Sequence, residues 1–242
     1  MGLVFILVVG LVAGVVSGIV GTGSSIMLVP VLAAVYGPKE AVPIMAVAAL
    51  IANVSRVLAW WREVDGRAFA AYAGTGAPAA VLGARTLLVL PPRAVDIAIG
   101  LFLLAMIPAR HAFAARFVRL SLAQVALAGA LIGFLTGIVV STGPISVPVF
   151  VGYGLAKGAF IGTEAAGSLA VYAAKTLTFR GFGALPADLL AKGLVVGGSL
   201  MAGAFIAKPF VMRLSPDLFR RVMDGLMLVS GLGMLWSAWI RP

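Results

Sequence analysis

Two clusters of small polar residues interrupt the apolar sequence, one in each half of the chain. The first is Gly21-Thr22-Gly23-Ser24-Ser25, and the second is Ser141-Thr142-Gly143-Pro144. Glycine and proline break a helix, and the helix that restarts after a break presents free N–H groups and the positive end of its dipole. Because the Ser and Thr hydroxyls add neutral donors, each cluster has the chemistry of a small-anion site. We predict substrate contacts from Gly21, Thr22, Gly23, Ser24, Ser25, Ser141, Thr142 and Gly143.

A second group of candidates consists of polar side chains inside apolar runs. Glu164, Ser168, Tyr172 and Lys175 are spaced so that they share one face of a helix. The residues 119 positions before Tyr172 and Lys175 are Asn53 and Arg56. An anion pathway needs cations to offset the cost of removing its substrate from water, so we predict binding contacts from Asn53, Arg56, Tyr172 and Lys175. The alternative for the two cations is extension to the bilayer interface, since both lie close to the ends of their apolar runs.

Glu164 lies deep inside its apolar run, about 10 Å of helix rise from the start. A charge at that depth is costly unless it is paired or hydrated. A carboxyl that alternates between the neutral and the ionised form is suited to proton coupling, and we predict that role for Glu164. The structural alternative is a fixed ion pair with a cation such as Lys192 or Lys208.

The composition places these residues in a membrane protein. Of the 242 residues, 62% are hydrophobic and 11% are charged, whereas soluble domains carry about 25% charged residues. Because the chain has no cysteine and a single histidine, His111, it lacks the residues for disulfides, thiolate catalysis and common zinc or haem sites. We therefore predict no metal and no cofactor. The net charge of +10 is scattered between apolar runs, which fits anionic lipid better than nucleic acid.

Charges, prolines and glycines divide the chain into two sets of five apolar segments. The first set comprises residues 2–20, 24–36, 40–61, 67–90 and 93–110, and the second comprises 120–138, 143–155, 157–179, 188–212 and 217–239. No Lys or Arg precedes the first segment, so we interpret it as a retained span and not as a signal peptide. The second segment of each set is about 20 Å long as a helix, too short to cross a hydrocarbon core of about 30 Å. A pair of short, interrupted segments at corresponding positions is typical of the central site of a transporter.

The two sets align as an internal repeat with an offset of about 119 residues. The matched landmarks are Gly14, Gly18 and Pro30 with Gly133, Gly137 and Pro148, Tyr36-Gly37 with Tyr153-Gly154, Arg56 with Lys175, Trp61-Arg62 with Phe179-Arg180, Gly83-Ala84 with Gly203-Ala204, Pro92 with Pro216, and Gly100 with Gly225. The spacing of Gly14 and Gly18, and of Gly133 and Gly137, predicts close helix packing by these four residues.

The distribution of cations predicts how the repeats are oriented. If each repeat crosses the bilayer an odd number of times, most Lys and Arg residues near loops fall on one side, and the positive-inside rule then favours inverted repeats. We predict an all-α polytopic membrane protein with broken or half helices at the start of each repeat. Its parts are a first transmembrane repeat over residues 1–110, a basic cytoplasmic linker over 111–119 and a second transmembrane repeat over 120–242.

The glycine pattern resembles that of a known family. The pattern Gly-x-x-x-Gly-x-x-Gly-x-Gly followed by apolar residues and proline, from Gly14 to Pro30, is similar to the signature of the sulfite exporter TauE/SafE family, the toluenesulfonate uptake permease group, and Gly133 to Pro148 is a degenerate echo of it. The resemblance implies a multi-pass inner-membrane transporter of sulfite, organosulfonates or related small anions. Members often carry a glycine where this chain has Ser24, and a glycine run where it has residues 141–144.

These observations together predict a secondary transporter in the cell inner membrane and not an enzyme. A small sulfur-containing anion is expected to bind between two broken-helix N-termini and to cross by alternating access, without ATP, since the chain has no P-loop. Its partners are then the substrate anion and the lipid bilayer. The alternative is a channel-like pore for a small neutral solute. A membrane subunit that scaffolds a partner is a third interpretation, and an intramembrane enzyme is disfavoured because Glu164 has no His or Cys near it in sequence.

Overall fold

The computed structural model describes residues 8, 10, 11, 24–114, 119–139, 143–211 and 216–240. From residue 24 onward, these described ranges contain nine α-helices and no strand. The helices are α1 Ser24–Tyr36, α2 Pro38–Trp60, α3 Gly66–Val89, α4 Pro92–Ala114, α5 Leu122–Ile138, α6 Gly143–Gly152, α7 Lys157–Gly181, α8 Ala187–Val211 and α9 Pro216–Ile240, with a 3₁₀ turn at Trp61–Glu63. The all-helical fold expected from the sequence is confirmed for this part of the chain.

Local chemistry accounts for several helix ends. The Asp65 carboxylate accepts hydrogen bonds from the backbone N–H groups of Arg67 and Ala68 and so caps α3. Ser121 and Gln124 form a reciprocal capping box at the start of α5. Helix α4 continues to Ala114, so the first four residues of the predicted linker, 111–114, are helical.

Helices α1 and α6 are half-length elements. They contain 13 and 10 residues, which correspond to about 20 Å and about 15 Å of helix and cannot cross a bilayer core. Each is followed by a glycine with positive φ, Gly37 at 84° and Gly154 at 104°, which turns the chain into the next long helix. These glycines were aligned as repeat landmarks from the sequence, and here they perform the same turn.

The relative directions of the long helices follow from residue contacts. Helices α2 and α7 run antiparallel. The end of α2 lies against the start of α7, where a Cβ on Gly162 would lie 2.7 Å from the carbonyl oxygen of Trp60. Helices α4 and α9 are also antiparallel, because His111 Nε2 lies 2.9 Å from Asp224 Oδ2 at one end and Ser237 Oγ lies 3.4 Å from Asp96 Oδ2 at the other.

Two further helix pairs cross between the halves of the chain. Gly167 of α7 packs on Tyr72 of α3, and Gly193 of α8 packs on Val47 of α2. In each pair the next contact lies one turn later along both helices, so α3 runs parallel to α7 and α2 runs parallel to α8. Neither half of the chain therefore forms its helical core alone.

Glycines form a close seam between α3 and α5. A Cβ on Gly133 would lie 2.7 Å from the Cα of Gly76, and a Cβ on Gly137 would lie 2.6 Å from the carbonyl oxygen of Ala80. The packing role predicted for Gly133 and Gly137 is thereby confirmed. Their counterparts Gly14 and Gly18 lie outside the described residues.

Two segments are long and apolar enough to cross a membrane, Pro38–Leu58 of α2 and Pro92–Ala109 of α4. Two shorter apolar helices are Leu122–Ile138 and Met227–Ile240. Large apolar side chains are exposed on the outside of the bundle, among them Leu101 and Val229 of the α4–α9 pair and Trp239 near the end of α9. Such faces are suited to contact with lipid.

Candidate functional site

A charged cluster lies inside the protein where α2, α6 and α7 meet. Nη1 of Arg56 on α2 lies 3.0 Å from Oε2 of Glu164 on α7. The other carboxylate oxygen, Oε1, accepts hydrogen bonds from the hydroxyls of Ser168 at 2.8 Å and Ser146 at 3.1 Å. Both carboxylate oxygens of Glu164 are thus satisfied, as a charge at this depth requires. We call these four residues the Arg56–Glu164 cluster.

The elements bring the Arg56–Glu164 cluster to the start of a half-helix. Ser146 lies in the first turn of α6, and its hydroxyl is also 3.1 Å from the carbonyl oxygen of Gly143, the first residue of α6. The N-terminal end of a helix carries partial positive charge. The carboxylate of Glu164 therefore lies next to a helix terminus, a guanidinium and two hydroxyls, which together are donors suited to an anion.

The two partners of the ion pair differ in access to solvent. The Glu164 side chain is 3% exposed, whereas the Arg56 side chain is 24% exposed. Nη2 of Arg56 also donates to Oδ1 of Asn53, and the Asn53 amide donates to the carbonyl oxygen of Ala49 at 2.8 Å. Asn53 thus fixes the guanidinium from the side of α2, and Arg56 is the more exposed partner of the ion pair.

Lys175 occupies a separate environment further along α7. It follows Glu164 by eleven residues, about 16 Å of helix. Its Nζ donates to the carbonyl oxygens of Thr136 and, at 2.8 Å, of Val139 at the end of α5, and it lies 5.6 Å from the centroid of the Phe179 ring. A lysine at a helix C-terminus is favourable because the last carbonyls carry partial negative charge.

Comparison with known families identifies the fold to which these sites belong. The sequence model described as Sulfite exporter TauE/SafE matches residues 6–234, nearly the whole chain. The chain belongs to the sulfite exporter TauE/SafE family. Searches among curated proteins and among solved structures returned no match. As a member of TauE/SafE, the protein is a membrane transporter of a family associated with sulfite and related sulfur anions, and the resemblance noted in the glycine pattern is confirmed.

Within this TauE/SafE chain, the structure brings together only some of the residues predicted for the site. Asn53, Arg56 and Glu164 meet directly, whereas Lys175 binds carbonyl oxygens elsewhere. Ser25 is buried in α1, and Tyr172 is buried in α7. Gly143 begins α6, and Ser24 begins α1 with its side chain outside the described part. The remaining predicted contacts, Gly21, Thr22, Gly23, Ser141 and Thr142, lie outside the described residues.

Two alternatives from the sequence are corrected by these contacts. The cation that pairs with Glu164 is Arg56 and not Lys192, which instead lies 3.3 Å from Asp188. The side chain of Lys208 is outside the described part of the chain. Lys175 is completely buried and therefore does not extend to the bilayer interface.

Sequence reasoning missed three residues that complete these sites, Ser146, Thr136 and Val139. Ser146 is fully buried and binds Glu164, while Thr136 and Val139 are buried and their carbonyl oxygens accept from Lys175. A signal for Ser146 was present, since it lies in the first turn after the break at residues 141–144. No local signal marks Thr136 or Val139, because their role belongs to the backbone and depends on the approach of α7.

Proposed function

We propose that the protein is a secondary transporter that moves a small sulfur-containing anion, sulfite or an organosulfonate, across the cell inner membrane. The anion binds near the broken helix starts, with Arg56, Asn53 and the first turn of α6 as its described contacts. The observation that carries the proposal is the Arg56–Glu164 cluster, a buried set of anion-binding donors at the N-terminus of a half-helix.

The donors suit an oxyanion of sulfur. A guanidinium presents a planar fork of N–H groups that matches two oxygens of one sulfite or sulfonate group. The hydroxyl of Ser146 and the α6 dipole then address the remaining oxygen. Gly21, Thr22, Gly23, Ser24 and Ser25 of the first break, with Ser141, Thr142 and Gly143 of the second, are proposed to complete the coordination, with Tyr172 lining the path.

We further propose two inverted repeats, residues 1–110 and 120–242, joined by a cytoplasmic linker at 111–119. Equivalent helices in the two halves, α2 with α7 and α4 with α9, run antiparallel, as an in-plane two-fold axis requires. The contacts between the two halves fit the same axis. The two-fold rotation would convert the α3–α7 contact into the α8–α2 contact, and both contacts are present. The cytoplasmic position of the linker rests on the positive-inside rule.

The packing supports alternating access between two helix groups. One group contains the crossed helices α2, α3, α5, α7 and α8, and the other is the antiparallel pair α4 and α9. Half-helix α1 touches α2 and α9, and half-helix α6 touches α7 and α4. Because each half-helix contacts both groups, a relative movement of the groups would expose the helix starts to one side and then to the other.

A ligand screen tests the anion site. Thermal unfolding of the purified protein is measured with sulfite, thiosulfate, isethionate, sulfoacetate, taurine and aromatic sulfonates, with sulfate and acetate as controls. Selective stabilisation by sulfur anions is expected, because a ligand that binds only the folded state raises its stability. If none of the sulfur anions stabilises the protein more than sulfate and acetate do, the proposed site is contradicted.

Counterflow in proteoliposomes separates the transporter from a pore for a neutral solute. Unlabelled substrate on the far side should accelerate uptake of labelled substrate through a transporter, whereas a pore shows no such acceleration. Ser25→Leu and Ser141→Leu should abolish transport while the protein still assembles. The control for added bulk is Thr86→Leu on α3, where the hydroxyl makes an exposed hydrogen bond to the backbone of the same helix. Normal transport by both Ser variants would exclude the breaks as the site.

A further inference from the structure

The Glu164 carboxylate makes the contacts that a bound oxyanion is expected to make. Its two oxygens meet the Arg56 guanidinium, the Ser146 hydroxyl in the first turn of α6 and the Ser168 hydroxyl. A carboxylate and a sulfonate both present oxygens that accept hydrogen bonds from these donors. Glu164 therefore occupies the donors that the proposed substrate needs.

The other half of the chain lacks such a carboxylate. Met45 stands at the position equivalent to Glu164, 119 residues earlier, and the cation equivalent to Arg56 is Lys175. Lys175 is held by backbone carbonyl oxygens of α5 and not by an acid. Backbone carbonyls alone are thus sufficient to hold one of these cations inside the fold. The carboxylate at position 164 is not needed merely to bury a cation, so we expect it to have a further role.

We infer that Glu164 is a tethered anion that holds Arg56 when no substrate is bound, and that protonation of Glu164 releases the guanidinium to a small oxyanion. The inference rests on the proposed function, because it takes the substrate to be an anion. The proton is taken up on the carboxylate, and the anion then binds Arg56 in its place. Net charge at the site stays constant for a monovalent anion, so no uncompensated charge is buried at either stage.

Access to the site fits this exchange. The Arg56 side chain keeps 24% of its surface exposed and the Glu164 side chain 3%, so the cation is the more open partner of the pair. The groups that face Glu164 are Arg56 from α2, Ser146 from α6, Ser168 on α7 and Tyr72 from α3, whose phenol interacts electrostatically with the carboxylate. Among these, Glu164 is the acid whose protonation would remove the negative charge beside Arg56.

The experiment measures sulfonate binding and proton uptake together. Isethionate and benzenesulfonate are titrated into the purified full chain by calorimetry, from mildly acidic to mildly alkaline pH, in buffers of different ionisation enthalpy. Both sulfonates stay ionised throughout, so any pH dependence arises in the protein. Where the carboxylate is ionised, one proton should be taken up per anion, and affinity should fall about tenfold for each unit by which the pH rises.

Glu164→Gln should bind the sulfonates at all pH values at least as tightly as the unmodified chain does at acidic pH, with no linked proton uptake. Glu40→Gln, at an exposed acid in the first turn of α2, is the matched control and should keep the pH dependence. Ser168→Ala retains both charges and removes a hydroxyl that donates to the carboxylate and would donate equally to the bound anion, so it should keep the pH dependence and the proton uptake.

Two results would overturn the inference in distinguishable ways. If Glu164→Gln binds sulfonate with the same pH dependence and proton uptake as the unmodified chain, the tethered anion is wrong while the anion site stands. If neither sulfonate binds the folded protein or its folded variants at any pH, the proposed anion site itself fails. Should Glu164→Gln not fold, the unmodified chain decides, because sulfonate affinity independent of pH, with no proton uptake, contradicts competition by the carboxylate.

Discussion

The predicted repeat aligns Arg56 with Lys175, yet the surroundings of the two cations differ. Arg56 is paired with a carboxylate and keeps 24% of its side chain exposed. Lys175 is fully buried, and its ammonium donates to two carbonyl oxygens at the end of α5. A partly exposed cation held by an ionisable partner can be exchanged, whereas a buried cation held by backbone carbonyls cannot.

This difference assigns separate tasks to the two cations. Lys175 donates to carbonyl oxygens at the end of α5 and so fixes the end of that helix. Under our proposal, Arg56 is the cation that binds the anion. The expectation that both cations contact substrate is therefore sharpened into one binding residue and one positioning residue, and the following variants test that division.

Replacement of Lys175 should have the largest effect on stability. Lys175→Met removes the buried ammonium that donates to the carbonyl oxygens of Thr136 and Val139, and we expect the free energy of unfolding to fall by about 2–4 kcal/mol. Thermal unfolding in detergent measures the loss, and Lys175→Arg, which keeps a charged donor, should recover part of it. Unchanged stability with lost substrate binding would instead make Lys175 a binding residue.

Replacement of Arg56 should cost less stability but all of the binding. Arg56→Gln leaves the Glu164 carboxylate buried without a cation, and the expected loss is about 2 kcal/mol because the pair is partly exposed to solvent. The double variant Arg56→Gln with Glu164→Gln should regain most of that stability while sulfonate binding stays absent. Recovery of binding together with stability would show that Arg56 supports the fold and not the substrate.

The outcome for these residues shows which features a sequence can predict. Helix limits follow local rules, so the half-helix at Ser24–Tyr36 has the predicted bounds, and α6 begins at the predicted Gly143 although it ends earlier, at Gly152. The partner of Glu164 depends on how α2 approaches α7, and nothing in either segment alone favours Arg56 over Lys192. Ion pairs between distant segments are set by tertiary packing.

The same limit applies to the fate of Lys175. Its place near the end of an apolar run is compatible with extension to the interface and with burial. What decides is the end of α5, where the helix terminates at Ile138 and leaves carbonyls that need a donor. The predicted repeat alignment relates Lys175 to Arg56, but a shared position does not impose a shared partner.

A small change in the α3–α5 seam tests how strictly the packing fixes α5, the helix whose last carbonyls bind Lys175. Gly137→Ala would place a Cβ 2.6 Å from the Ala80 carbonyl oxygen, so α5 must shift and carry the Thr136 and Val139 carbonyls with it. We expect a loss of about 1–2 kcal/mol in thermal unfolding. Gly74→Ala on α3 meets nothing within 4 Å and is the control. An equal effect of both variants would refute the steric argument.

Lys192 provides the smallest expected effect and a limit for the comparison. It lies on α8 with 31% of its side chain exposed, 3.3 Å from the exposed Asp188 and 4.7 Å from the centroid of the Tyr36 ring. Exposed ion pairs contribute about 0.2–1 kcal/mol, so Lys192→Met should change unfolding by less than about 1 kcal/mol and leave sulfonate binding intact. If this variant lost sulfonate binding, the charge of a basic residue inside an apolar run would be enough to affect binding. The exchangeable partner of Arg56 would then no longer explain why Arg56 is needed for binding.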